Sequence, residues 1–111
     1  MLNREKKYLF LVVLGGRTKM ANVELHDVRW VVGTSIEDTY DALRRDWFGD
    51  FEGLHIDSYK KINYVDGHKI TLKNIENKTL KNNKLLNAKQ TQKNLWFVNI
   101  GGYEPTSMQE K

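Results

Sequence analysis

Leu9-Phe10-Leu11-Val12-Val13-Leu14-Gly15-Gly16 is the stretch on which the fold turns, because its pattern occurs twice. Near the chain end it returns as Leu95-Trp96-Phe97-Val98-Asn99-Ile100-Gly101-Gly102. The offset is 86 residues throughout and carries Glu24 onto Glu110 without a gap. Self-similarity at a fixed offset marks a duplicated structural unit. The expected organisation is a whole first unit over 1–73, a Lys- and Asn-rich connector over 74–93, and the first strand and Gly-Gly loop of a second unit over 94–111. That second copy is expected to be a truncated one, stopping at Lys111, and all three parts are expected to pack into one domain, which the length of 111 residues suits.

Working outward, Tyr8 to Leu14 is an unbroken β-prone run closed by two glycines, as for a strand that is central or buried on both faces. A tight strand exit explains Gly15-Gly16-Arg17 better than an anion-binding loop does, since no helix follows at once. A loop over 15–22 and a second strand over Val23 to Val32 come next. Ile36, Tyr40, Leu43 and Trp47 then fall on one helical stripe. Either Thr34 with Glu37 or Ser35 with Asp38 supplies the capping box, and Gly49 supplies the stop. Leu54 to Leu72 reads as a β-hairpin around Asp66-Gly67. A three-residue loop, Val65 to Gly67, sets Ile62 opposite Ile70 and Tyr64 opposite His68, keeping apolar residues together. In that register His55, Asp57 and Tyr59 turn away from the apolar face. The connector reads as a linker or a short helix. The class is α+β in two layers, one main helix on a small mixed or antiparallel sheet, with a ubiquitin-like roll as the simplest topology. Trp30, Trp47 and Trp96 sit in apolar patterns and are expected in the core.

Composition narrows the functional classes. Apolar residues at 40% fit a globular chain, and the absence of cysteine excludes disulfide scaffolds and thiolate metal sites. No stretch approaches membrane-spanning length, so no membrane partner is expected, and the cytoplasm is the expected location. The net charge of +4 sits in one segment: residues 60–93 hold nine lysines against two acidic residues. Tyr64 is their one aromatic residue and no arginine accompanies them, a pattern that suits a solvated surface better than a nucleic-acid interface.

Two segments place histidine beside carboxylates, Glu24-Leu25-His26-Asp27 and His55-Ile56-Asp57. On a strand, His55 and Asp57 share a face roughly 6–7 Å apart, close enough to grip one ligand or metal. A complete site would need His26 or Glu24 to arrive from a neighbouring strand. The candidate ligand-binding residues are therefore Glu24, His26, Asp27, His55, Asp57 and Arg17, with no metal or cofactor assigned. The plainer alternative is that these are ordinary polar residues at strand ends. His68, beside the hairpin turn, reads as structural.

The blocks Leu-Gly-Gly-Arg (14–17), Asn-Val-Glu-Leu-His-Asp-Val (22–28), Val-Val-Gly-Thr-Ser-Ile-Glu-Asp-Thr-Tyr (31–40), Trp-Phe-Gly (47–49), Leu-His-Ile-Asp-Ser-Tyr (54–59), Val-Asp-Gly (65–67) and Phe-Val-Asn-Ile-Gly-Gly-Tyr (97–103) together resemble the bacterial family called domain of unknown function 1543. The resemblance spans nearly the whole chain. It implies a unit carried twice, with a full second Gly-Gly…Glu…His segment, and it implies no established activity.

The leading expectation is thus a small structural or binding module with a polar pocket near His26 and His55. It is expected to self-associate as a homodimer, because an apolar strand at 95–100 without its partner strand invites pairing. A small-molecule ligand fits the pocket. The alternative is a metal-assisted or acid–base enzyme using the same residues; no nucleophile with a base and an orienting acid is evident. The third is a weak nucleic-acid binder acting through Lys60 to Lys93.

Overall fold

A computed structural model describes residues 5–75, 93–104 and 109–110. The expectations for the interior of the connector, residues 76–92, lie outside these. By its contacts the chain divides into two units, Met1–Lys73 and Asn74–Lys111.

The first unit is built on β1 (Tyr8–Gly16), which lies between β2 (Leu25–Gly33) and β3 (His55–Ile62) and pairs antiparallel with both. Between β2 and β3 come a 3-10 turn (Glu37–Thr39) and the helix α1 (Tyr40–Arg45). The result is α+β, one short helix on a small antiparallel sheet. The ubiquitin-like roll is not confirmed. The strand after the helix runs antiparallel beside β1, so β2 and β3 point the same way on either side of it.

β1 obeys the strand period of two. Phe10, Val12 and Leu14 are buried, whereas Leu9, Leu11 and Val13 on the other face are half-buried. The buried face meets Val31, Ile36, Leu43 and Trp47 in the core, with Leu54 and Ile56 packed beside them. Burying a Val or Leu side chain contributes roughly 1.5–3 kcal/mol, so the triplet on β1 anchors the unit. β1 is therefore central, but only one of its faces is covered by the core.

The helical segment is shorter than the stripe implied. Neither expected capping box closes: the Asp38 N–H donates to Ser35 Oγ (3.3 Å), but the Asp38 carboxylate accepts from the Thr34 N–H (2.9 Å) rather than from that of Ser35, and the N-cap of the 3-10 turn is Ile36. Because the first turn is 3-10, residues three apart eclipse one another. Thr39, three after Ile36, takes the inward position, and its hydroxyl donates to the Ile36 carbonyl at 2.6 Å. Tyr40, expected on the stripe, is turned out and 42% exposed. Gly49 is not the helix stop, since α1 ends at Arg45; it lies instead where its backbone passes close to the Arg17 carbonyl and the Trp47 indole.

The hairpin register also differs from expectation. Only β4 (Tyr64–Val65) and β5 (His68–Lys69) pair with each other, Tyr64 with Lys69 and Val65 with His68. The turn therefore has two residues, Asp66 and Gly67, at φ of 49° and 78°. Positive φ at both central positions is what an Asp-Gly hairpin turn prefers. Apolar pairing does not set the register because neither face of the tip is buried: Tyr64 is 70% exposed, His68 is exposed and Val65 is only half-buried. A register slip there costs little in burial, so turn chemistry decides.

In the second unit, residues 93–102 carry neither strand nor helix, contrary to the strand expected over 95–100. A strand exists through its ladder, and β1 has one on each edge, whereas no described strand pairs with 95–100. Trp96 is accordingly 75% exposed rather than in a core. Beyond it, β6 (Tyr103–Glu104) pairs antiparallel with β7 (Gln109–Glu110). Moved back by 86 residues, the pair Tyr103 with Glu110 becomes Arg17 with Glu24. That is the next rung beyond Gly16 with Leu25 in the β1–β2 ladder.

Candidate functional site

The register of the three-stranded sheet brings the two histidines together. Gly15 lies opposite His26 on β2 and opposite His55 on β3. Side chains of paired residues project from the same face, so both imidazoles rise from the face away from the core, on either side of a residue that has no side chain. Glu24 joins from the loop just before β2. Asp57 joins from a β-bulge: Leu14 pairs with Ile56 and Val13 with Ser58, leaving Asp57 as the extra residue of β3.

The bulge also reverses the alternation beyond it. Tyr59, expected beside His55 and Asp57, lies opposite Val12 on the core side and packs edge-on to Phe10, with ring centroids 6.1 Å apart.

Asp57 is the hub of the cluster. Its Oδ1 is 3.0 Å from His55 Nε2, and its Oδ2 is 3.0 Å from His26 Nε2. Glu24 Oε2 is 3.1 Å from His55 Nε2 and 3.9 Å from His26 Nε2. Ligating atoms of Glu24, His55 and Asp57 all lie within 4.8 Å of one another. A Cβ on Gly15 would fall 2.7 Å from His55 Nε2 and 2.9 Å from Asp57 Oδ2, and against the Glu24 carboxylate as well. Glycine at this position is what leaves room for the Glu24, His55 and Asp57 side chains.

The far side of the His55 ring is fixed too. His55 Nδ1 is 2.8 Å from the Gly53 carbonyl, which can only accept, so Nδ1 carries the hydrogen. A neutral His55 then presents the Nε2 lone pair to two carboxylate oxygens, and three electron-rich atoms converge. A positive centre relieves that repulsion, whether a proton on Nε2 or a cation. The His55 pKa is accordingly raised above 6.5. The hydrogen bond to Gly53 contributes most, desolvation opposes it, and the Asp57 and Glu24 charges add to it.

Two candidates stand apart. Asp27 lies opposite Leu14 on the core side, and its Oδ1 accepts from the Val28 N–H at 3.0 Å. Arg17 follows β1 in an exposed position, and its carbonyl accepts from the Asp50 N–H at 2.7 Å. Gly15 and Gly16 belong to the β1 ladder rather than to a free loop. His68 Nδ1 meets the Asp66 carbonyl at 2.8 Å, a local contact that braces the hairpin turn.

The sequence reading missed Gly15 and Gly53. The role of Gly15 follows from its pairing with both histidines, not from the strand exit. A cleft of about 390 Å³ on the core side of the sheet is lined by Leu14, Leu43, Phe51, Leu54 and Ile56 together with His55. No helix among the described residues is long and apolar enough to cross a membrane.

Comparison with known proteins supports the fold and the family. The crystal structure of a protein from Idiomarina loihiensis is similar at 52% sequence identity and a TM-score of 0.56. The match covers 58% of this chain and 44% of that one, so the chain spans less than half the length of this relative. No curated protein matches. Over residues 21–72, which include Glu24, His26, His55 and Asp57, the chain matches the family described as Domain of Unknown Function (DUF1543), the family its motifs resemble.

Proposed function

We propose that this chain is a small binding module whose ligand seat is the cluster of Glu24, His26, His55 and Asp57 above Gly15. The observation that carries this is the placement of both imidazoles 3.0 Å from a single carboxylate, that of Asp57, by strand register rather than by flexible loops. Groups held on paired strands are pre-organised, which lowers the entropy lost on binding. The side chains remain one-third to one-half exposed, so a small ligand can reach them.

A thermal-shift panel tests the seat, using inorganic phosphate, short dicarboxylates, primary amines and divalent cations as probes. At least one class should raise the melting temperature of the wild type and fail to do so for His55→Ala and Asp57→Asn. No shift with any class, or the same shift in both variants, would remove the proposal. Self-association and a cytoplasmic location belong to the same reading. Half-exposed Leu11, Val13 and Trp30 on the open sheet face support the first, and the lack of cysteine is compatible with the second. Light scattering at high micromolar concentration should then give a dimer mass.

A further inference from the structure

Resting on the seat just described, we propose that the cluster is a site for a divalent transition ion of the zinc class. Glu24, His55 and Asp57 are its ligands, and His26 supplies the fourth.

The donor set selects the ion. Two imidazole nitrogens with two carboxylates suit Zn²⁺ and its neighbours, whereas Mg²⁺ and Ca²⁺ favour oxygen throughout. Two carboxylates also match a charge of +2. The spacing is close to that of the occupied state. Bonds of about 2.0–2.2 Å at tetrahedral angles put neighbouring ligand atoms roughly 3.4 Å apart. The contacts of Asp57 with both histidines and of Glu24 with His55 are 3.0–3.1 Å, while Glu24 and His26 stand 3.9 Å apart and the ligating atoms of Glu24, His55 and Asp57 all lie within 4.8 Å of one another. Seating an ion therefore takes rotation of these exposed side chains, that of His26 above all, on the backbone as it stands.

Two further features have the form of a metal site. A ligating histidine characteristically donates its other ring N–H to a backbone carbonyl or carboxylate, which aims the free nitrogen at the ion. His55 does so through Nδ1 to Gly53, the same local contact that His68 makes to Asp66, and at His55 it aims Nε2 at the two carboxylates. The ligands also come from three places in the chain, the loop before β2, β2 itself and β3. They meet only where Gly15 leaves room between them.

The test is calorimetric titration of the folded chain with Zn²⁺ in a non-chelating buffer, repeated with Mg²⁺. Co²⁺ absorption serves as the second readout, because a tetrahedral site gives strong visible bands and an octahedral one weak bands. The expected result is one Zn²⁺ per chain, at least tenfold weaker binding in His55→Ala and in Asp57→Asn, no change in His68→Ala, and Mg²⁺ much weaker than Zn²⁺. Circular dichroism of each variant confirms folding, and the intense Co²⁺ bands should vanish with Asp57→Asn. Failure to bind Zn²⁺ stoichiometrically, or binding indifferent to both substitutions, would overturn the metal assignment. If a non-metal probe of the earlier panel still distinguishes wild type from the variants, the seat survives and only its ion is wrong. If neither metal nor any other probe binds, both fall.

Discussion

Gly15 and Gly16 are adjacent, identical and on opposite faces of β1, so replacing each with alanine should separate the site from the fold. The nearest atoms to a Cβ on Gly15 are the far ends of Glu24, His55 and Asp57, exposed side chains that can swing into solvent. Alanine is also favoured over glycine within a strand by roughly 0.5–1 kcal/mol, so Gly15→Ala should stay within about 1 kcal/mol of wild type. A Cβ on Gly16 would lie 2.6 Å from Trp47 Cζ2. That ring is buried and tethered by its Nε1–H to the Asp50 carbonyl at 2.9 Å, so it cannot give way cheaply. Overpacking of this kind costs about 1–3 kcal/mol. For a unit of this size each kcal/mol lowers the melting temperature by roughly 4–8 °C. Thermal unfolding followed by circular dichroism, with Zn²⁺ titration of each variant, reads both effects. Gly15→Ala should melt near wild type and lose Zn²⁺ binding; Gly16→Ala should melt lower and, at temperatures where it is folded, retain it. A benign Gly16→Ala, or a Gly15→Ala that binds as wild type does, would refute the assignment of the two glycines.

Three smaller perturbations probe other parts of the account. Gly67→Ala introduces a side chain at φ 78° with no atom within 4 Å of the new Cβ, so only backbone strain is added. The urea midpoint should fall by the equivalent of roughly 1–2 kcal/mol. Thr39→Val keeps the shape of a fully buried residue but removes the hydrogen bond to the Ile36 carbonyl, and should cost about 1 kcal/mol in the same assay. In metal-free protein, NMR titration should place the His55 pKa above 6.5. Since the folded state then holds the proton more tightly than the unfolded chain, the stabilisation is present below about pH 6.5 and is lost as pH rises through the folded pKa. A His55 pKa below 6.5 would contradict the Gly53 and carboxylate contacts.

How far the sequence led depends on how much each pattern was tied to burial. The run at 8–14 and the pair of segments holding Glu24 with His26 and His55 with Asp57 were readable because alternation and strand-end placement follow directly from a half-buried sheet. A pocket near His26 and His55 was expected, but not that they meet across Gly15 from the two strands flanking β1, since that depends on β3 docking beside β1, a non-local pairing with no signature in either strand alone. The bulge at Asp57 was invisible for the same reason. As a result Tyr59 was placed with His55 when it belongs with Phe10. At the Asp66-Gly67 turn the local signal was right and the apolar-pattern argument overruled it wrongly, because that hairpin tip buries neither face. The run at 95–100 copies the residues of β1 without the described ladder that makes β1 a strand.

The central claim is that strand register assembles Glu24, His26, His55 and Asp57 into one cation seat above Gly15. Anomalous diffraction at the zinc edge, from crystals grown with stoichiometric Zn²⁺, tests it most directly. The account predicts one strong peak per chain on the open sheet face, roughly 2.0–2.2 Å from Glu24, His55 and Asp57 and within reach of His26 Nε2. Peaks confined to His68 or to lattice contacts, with the cluster atoms still at their ion-free separations, would contradict it.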